Sequence, residues 1–202
     1  MRGRLIALEG REASGKSTQA EILARRLGAV LTREPGGTVL GERIRSLLLD
    51  PEATTLDPRA EALLMAADRA QHVTETILPA LETGRHVVTD RYSHSSLAYQ
   101  GHGRGLLVEE VGRVSDWATG GLSADLVVLV DVPEDVARRR RVGSDRFELE
   151  DRDFHRRVAD GYHQLAAEDP ELWRVVDGTG TVQEVAARIW VAVEAHLTHL
   201  AR

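Results

Sequence analysis

The 202-residue sequence contains no cysteine, only two methionines and few aromatic residues. The absence of cysteine excludes disulfides, thiolate metal sites and a cysteine nucleophile. Its apolar runs span only a few residues, as at Leu126–Val130, whereas a membrane-spanning helix needs about 20. The apolar stretch before Glu9 is also too short for a signal peptide. We therefore expect a cytoplasmic protein with no membrane partner.

Lysine is almost missing, and the charge balance is acidic. The chain has 26 basic residues against 32 acidic ones, a net charge of −6, and Lys16 is its single lysine. Because a surface that binds nucleic acid carries a basic footprint, we expect no nucleic-acid partner. An isolated ammonium in a chain that otherwise uses arginine indicates a specific role for Lys16.

Short apolar strands alternate with helical stretches along the chain. Strands are predicted at residues 4–9, 29–32, 86–90, 125–132 and 173–176,. Helices are predicted at 15–27, 38–49, 57–84, 93–99, 106–118, 133–141, 152–167 and 182–197, with a glycine-rich loop at 101–105,. The alternation predicts one α/β domain over residues 1–202, in which helices cover both faces of a five-stranded parallel sheet.

Residues 10–17 match the phosphate-binding pattern G-x-x-x-x-G-K-[ST],. The match follows a predicted strand and opens a predicted helix, so that backbone N–H groups and the helix N-terminus can bind phosphate oxygens. The compact ammonium of Lys16 fits between β- and γ-phosphates, where a planar guanidinium would not. We therefore predict a three-layer P-loop NTPase fold that binds a nucleoside triphosphate. The predicted cofactor-binding residues of this loop are Gly10, Arg11, Glu12, Ala13, Ser14, Gly15, Lys16, Ser17 and Thr18.

Further polar residues lie at positions where open α/β sheets bind ligands, near the carboxyl ends of the strands. Arg33 and Arg91 follow predicted strands, and Arg45 and Arg69 lie on predicted helices. Together these arginines can form a second anion site. Asp90 ends a strand beside the phosphate loop, so Ser17 and Asp90 are the predicted Mg²⁺ ligands. A simple capping role at the strand end is the alternative for Asp90.

Several motifs, in their order and spacing, make the chain resemble the bacterial thymidylate kinases over nearly its whole length. They are Leu8-Glu9-Gly10, Arg33-Glu34-Pro35-Gly36-Gly37-Thr38, Asp68-Arg69-Ala70-Gln71-His72, Asp90-Arg91-Tyr92, residues 95–101 and Asp145-Arg146-Phe147-Glu148. The resemblance implies transfer of the ATP γ-phosphoryl group to dTMP, with Mg²⁺, to give dTDP. It also implies a homodimer that packs through its long helices.

The resemblance further implies a role for individual side chains. Arg45, Arg69 and Arg91 would hold the acceptor phosphate, and Glu12 the sugar 3′-hydroxyl. Tyr99 would crowd the 2′ position of the sugar, while Ser96 and Gln100 would bind the thymine edge. Met65 stands where the family usually carries a phenylalanine that stacks on the base. This departure keeps open another nucleoside or deoxynucleoside monophosphate as the substrate.

The predicted catalytic residues are Lys16, Arg91, Glu12 and Arg146. No general base is needed, since the second pKa of a nucleoside monophosphate is about 6 and its phosphate is already mostly dianionic. Transfer between two polyanions requires positioning and charge neutralisation instead. Arg138 and Arg146 would contact ATP from a short lid at about residues 138–150; a solvated helix end is the alternative for the arginines at 138–141.

Two other classes of protein are compatible with the phosphate loop. A catalytically weak, ATP-binding regulatory homologue would bind ATP without forming dTDP. A motor or switch ATPase would hydrolyse ATP without any acceptor.

Overall fold

The sheet has five parallel strands in the order β2-β3-β1-β4-β5. In the computed structural model, which describes residues 2–140 and 145–200 with side chains to residue 197, these strands are β1 (Leu5–Glu9), β2 (Val30–Arg33), β3 (Val87–Asp90), β4 (Leu126–Asp131) and β5 (Trp173–Asp177). In register, Leu8 on the central strand pairs with Asp90 on one side and Val128 on the other. The predicted five-stranded parallel sheet is confirmed.

Helices connect the strands and cover both faces of the sheet. They are α1 (Lys16–Leu27), α2 (Val39–Leu49), α3 (Pro58–His72), α4 (Leu78–Glu82), α5 (Ser93–Ser96), α6 (Val108–Thr119), α7 (Glu134–Arg140), α8 (Arg152–Glu168) and α9 (Val182–Leu200). Two π-helical segments, Val73–Ile77 and Leu97–Gly103, continue α3 and α5. None of these helices is both long and apolar enough to span a bilayer, within the residues that the structure describes.

Alternation along β1 divides the core into two layers. Leu5 and Ala7 face the cluster that contains Phe154 of α8, whereas Ile6 and Leu8 face the cluster built with α1 and α9. All five residues of β1 are buried, as are five of the six in β4. Strands that are covered on both faces read as continuous apolar runs, which is why both were recognisable in the sequence.

The glycine-rich loop predicted at residues 101–105 is wrong for its first three residues, which belong to the π-helical segment Leu97–Gly103. A Cβ atom at Gly103 would lie 2.7 Å from the ring of Phe154, and one at Gly101 would lie 3.0 Å from Val108. These glycines therefore allow close packing of the segment against its neighbours rather than a turn.

Candidate functional site

The phosphate loop lies between β1 and α1, as the motif predicted. Gly10 has a φ of 147°, and a Cβ atom there would lie 2.7 Å from the carbonyl oxygen of Val130. Gly15 precedes α1 in a left-handed conformation, with a φ of 91°, and no side chain of the described residues caps the helix. The first N–H groups of α1 are thus left for an anion, and the aligned peptide dipoles favour negative charge at this end.

Lys16 is buried at the start of α1, with 5% of its surface exposed. Among the described residues, its ammonium donates one hydrogen bond, to the carbonyl of Arg11 at 3.3 Å, and lies 3.9 Å from a carboxylate oxygen of Glu12. Burial, and then the neighbouring charge of Arg91, lower the pKa of Lys16. An ammonium has three N–H donors, so most of its hydrogen-bonding capacity remains for phosphate oxygens.

Ser17 and Asp90 meet because β3 pairs with β1 and ends beside the phosphate loop. The Ser17 hydroxyl donates to Oδ2 of Asp90 at 2.5 Å. The other carboxylate oxygen of Asp90 is buried and has no hydrogen-bond partner among the described residues. Hydroxyl and carboxylate oxygens are the ligand types that Mg²⁺ prefers, and the unpartnered oxygen is a suitable donor to a cation.

Arg91 follows β3 in a left-handed conformation, with a φ of 73°. Its guanidinium donates five hydrogen bonds of 2.5 to 3.1 Å. The acceptors are the Gly10 carbonyl, Ser95 Oγ, Tyr162 Oη, Glu12 Oε1 and Tyr99 Oη. This network fixes the guanidinium beside Gly10 and Glu12 of the phosphate loop.

Glu12 is the carboxylate that pairs with Arg91. The Tyr99 hydroxyl also donates to Glu12 Oε1, at 2.9 Å. Burial alone would raise the pKa of Glu12, but the charges of Arg91 and Lys16 outweigh it and lower this pKa to about 2. Glu12 is therefore ionised at neutral pH.

A cavity of about 510 Å³, a volume that includes space open to solvent, adjoins the phosphate loop, and the remaining predicted substrate residues line it. Its lining includes Arg45, Met65, Arg69, Ser96, Tyr99 and Gln100. Glu12, Arg45 and Arg91 line both this cavity and the larger cleft that contains Lys16, Ser17 and Asp90. The two spaces therefore join at charged side chains.

Arg69 lines this cavity and contacts Ser96. Its Nη2 donates to Ser96 Oγ at 3.1 Å, and its Nε donates to Glu34 at 2.7 Å. Two further bonds reach Ser115 Oγ and the Tyr92 carbonyl. Arg45 has fewer protein partners: its Nη1 donates to the Pro35 carbonyl at 2.9 Å.

The arginines predicted for the lid occupy three different places. Arg146 is buried; it pairs with Glu61 at 2.7 Å and donates to the carbonyl of Leu48 at 2.9 Å. Arg138 is exposed and lines a separate, charged depression. Arg140 donates to the carbonyls of Ser14, at 3.4 Å, and Gly178, at 3.1 Å. Residues 141–144 of the predicted lid lie outside the described residues.

Among the described residues of the predicted lid, Arg140 is therefore an arginine that contacts the phosphate loop. The sequence did not distinguish it from the other arginines at 138–141. In a run of arginines, successive side chains point in different directions around the helix. Composition alone cannot show which of them faces the loop.

Glu9 belongs to the motif Leu8-Glu9-Gly10, but the sequence did not predict its contacts. Its buried carboxylate accepts hydrogen bonds from the backbone N–H groups of Tyr92 and Ser95 and from the hydroxyls of Ser95 and Tyr162. Burial raises the pKa of Glu9, although these hydrogen bonds and the charge of Arg91 oppose that effect. Ser95 and Tyr162 also accept hydrogen bonds from Arg91. Glu9 therefore positions two of the hydroxyl groups that bind the Arg91 guanidinium.

The known proteins that match this chain in sequence or structure include several thymidylate kinases. The sequence model of a family described as thymidylate kinase matches residues 8–189. The chain is similar to a thymidylate kinase of Synechococcus sp., with 47% identity over 197 residues that cover 95% of this chain and 96% of that protein. It is similar to one of Desulfovibrio desulfuricans, with 45% identity over 212 residues and 98% coverage of both. The crystal structure of thymidylate kinase from Ehrlichia chaffeensis resembles it with a TM-score of 0.78 and 30% identity, covering 96% of this chain and 99% of that one.

Proposed function

The chain belongs to the thymidylate kinase family, as its motifs predicted, and we propose that it transfers the γ-phosphoryl group of ATP to the 5′-phosphate of dTMP. The main support for this proposal is that the cleft at the phosphate loop and the neighbouring cavity share lining residues. The cleft contains the phosphate loop with Lys16, the cavity the predicted base residues, and Arg45 and Arg91 line both. A triphosphate in the first and a monophosphate in the second would meet end to end.

On the donor side, we assign ATP to residues 10–18. The N–H groups at the start of α1 and the buried ammonium of Lys16 would bind its phosphates,. Ser17 and Asp90 fit a Mg²⁺ site, since they present neighbouring hydroxyl and carboxylate oxygens, and Oδ1 of Asp90 has no hydrogen-bond partner among the described residues,. Bound there, Mg²⁺ would neutralise charge on the ATP phosphates. Arg140, which contacts the loop, is the lid arginine that we assign to the ATP side.

On the acceptor side, Arg45 and Arg91 would hold the phosphate of dTMP. Glu12 and Tyr99 are joined by a hydrogen bond of 2.9 Å beside Arg91. That position suits contact with the sugar, where Glu12 would accept from the 3′-hydroxyl and Tyr99 would crowd the 2′ position.

The base would occupy the far end of the cavity, against Ser96, Gln100 and Met65. The thioether of Met65 is polarizable and can pack on an aromatic ring. We assign Arg69 to this end rather than to the phosphate, because its guanidinium is bonded to Ser96 Oγ. An arginine donor there suits the O4 acceptor of thymine.

The site supports direct transfer without a general base. An oxygen of the dianionic acceptor phosphate forms a bond to the γ-phosphorus, and the bond from that phosphorus to the β,γ-bridging oxygen breaks, releasing ADP. Lys16 and Arg91 provide fixed positive charge in a largely buried setting, where such charge stabilises the transition state most effectively,. Arg146, in its ion pair with Glu61, would have to leave that pair to reach ATP.

The proposal includes a homodimer that works in the cytoplasm. Leu40 and Leu47 of α2 are exposed, as is Leu63 of α3, and the two helices are packed together. Leu40 and Leu47 are two helical turns apart and lie on one face. Such exposed apolar positions on adjacent long helices support an interface between two copies of the chain.

The test is a coupled assay of ADP release by the purified chain with ATP, Mg²⁺ and one acceptor at a time. We expect dTMP to be the best of dTMP, dUMP, dCMP, dGMP and AMP. Faster turnover of another acceptor would overturn the substrate assignment. ADP release without any acceptor would indicate a hydrolase, and ATP binding without turnover would indicate a regulatory homologue.

A further inference from the structure

Glu61 is a buried carboxylate on α3 that no step of the proposed reaction uses. It is 0% exposed and pairs with two guanidinium groups, those of Arg104 at 3.0 Å and Arg146 at 2.7 Å. It lies four and eight residues before Met65 and Arg69, which places all three on one face of the helix,. Glu61 therefore lies behind the wall of the base cavity.

The same carboxylate binds the side-chain amide of Gln100. Nε2 of Gln100 donates to Glu61 Oε1 at 2.7 Å, and Gln100 is 1% exposed. A carboxylate between two guanidinium groups accepts hydrogen bonds and does not donate them. It must therefore attract the NH₂ end of the amide, and the carbonyl oxygen of Gln100 is the end that remains for the cavity.

An acceptor at that point distinguishes between bases. Thymine and uracil present an N–H donor at N3, whereas cytosine presents a lone pair at N3 and an NH₂ group at position 4. The carbonyl oxygen of Gln100 can accept from the N3–H of thymine but repels the N3 of cytosine. A buried polar group that the ligand leaves unpaired discriminates strongly.

Resting on the function proposed above, we propose that Glu61 is a positioning residue that selects the base. It fixes the Gln100 amide with its oxygen toward the cavity, and so favours bases with an N–H at position 3 over cytosine. Arg146 pairs with the other carboxylate oxygen of Glu61, Oε2, while Gln100 binds Oε1.

The test measures kcat/KM for dUMP and dCMP in the original enzyme and in Glu61→Gln. These two acceptors differ only along the edge that carries positions 3 and 4, so their ratio reports on that edge. A glutamine at position 61 can face Gln100 with either end, which frees the Gln100 amide to turn. We expect the dUMP/dCMP ratio to fall about tenfold or more, with kcat/KM for dCMP rising in absolute terms.

Two controls separate positioning from general damage. Arg104→Met breaks one ion pair of Glu61 but keeps the bond to Gln100, so its ratio should stay near that of the original enzyme. In a Gln100→Leu background, Glu61→Gln should no longer change the ratio, because the amide through which it acts is gone. A loss of stability lowers both activities together and cannot raise that for dCMP.

An unchanged ratio in a folded Glu61→Gln enzyme would overturn the proposal, as would an equal change in the Gln100→Leu background. If thermal melting shows that Glu61→Gln does not fold, Glu61→Asp keeps the charge but withdraws the carboxylate from Gln100, and the ratio should move in the same direction. If the original enzyme does not phosphorylate dTMP, the proposed function fails. The ratio of the dissociation constants of dUMP and dCMP, measured by calorimetry, then tests Glu61 independently of turnover.

Discussion

Glu12→Gln should destabilise the folded protein by about 3 kcal/mol at neutral pH, because it removes a buried charge from between Arg91 and Lys16. Burial tends to raise the pKa of Glu12, but Arg91 and Lys16 lower it from its ordinary value of 4.5 to about 2. Each pH unit of that difference corresponds to about 1.4 kcal/mol of folding free energy. The side chain is 19% exposed, so solvent screens this interaction only in part.

The difference in unfolding free energy between the original protein and Glu12→Gln should decrease in acid. A carboxylate whose pKa is lower in the folded state adds stability at every pH above its unfolded pKa and loses it as the pH falls toward the folded pKa. The difference between the two proteins should therefore be constant above about pH 5.5, about three quarters as large at pH 4 and less than half as large at pH 3.

Urea denaturation of both proteins without nucleotides, at pH 7, 5, 4 and 3, measures this difference. Glu109→Gln is the matched control, because Glu109 is exposed and lies 4.0 Å from Arg113; its change should stay below about 0.5 kcal/mol. A difference below about 1 kcal/mol for Glu12→Gln at pH 7, or one that does not shrink in acid, would refute the reasoning.

Four further substitutions test the proposed site by steady-state kinetics. Lys16→Ala should lower kcat about 10²-fold or more by removing charge that stabilises the transition state; undiminished turnover would exclude Lys16 from the reaction. Asp90→Asn should raise the Mg²⁺ concentration needed for half-maximal activity, and an unchanged Mg²⁺ titration would remove Asp90 from the metal site,. Arg45→Met should raise the KM for dTMP more than the KM for ATP, and the reverse order would place Arg45 on the donor side. Met65→Phe should lower the KM for dTMP by a few-fold through ring stacking, whereas a higher KM would show that Met65 does not face the base.

The phosphate loop and the sheet could be predicted because their signals are local. The G-x-x-x-x-G-K-[ST] pattern falls within eight residues, and β1 and β4 are apolar runs because both of their faces are buried,. The loop predicted at residues 101–105 was wrong at Gly101 and Gly103 because the role of these glycines is not a local property of the sequence. Their role depends on Val108 and on Phe154, and the contact with Phe154 forms only when α8 packs on the segment.

The contacts of the supporting carboxylates could not be predicted from the sequence, because their partners are distant along the chain. Glu9 binds Tyr162, 153 residues away, and Glu61 binds Gln100, 39 residues away. Neither pair forms a motif. The same limit applies to Arg140, whose contact with Gly178 depends on how β5 lies beside β4.

The most direct test of end-to-end transfer is a crystal structure with an inhibitor in which thymidine and adenosine are joined through five phosphates. We predict a phosphate chain that runs from the N–H groups of α1 past Lys16 to Arg91 and Arg45, with the thymine ring between Met65 and Gln100. A thymidine moiety outside the cavity lined by these residues, or phosphates without contact to Lys16 and Arg91, would contradict the proposed function.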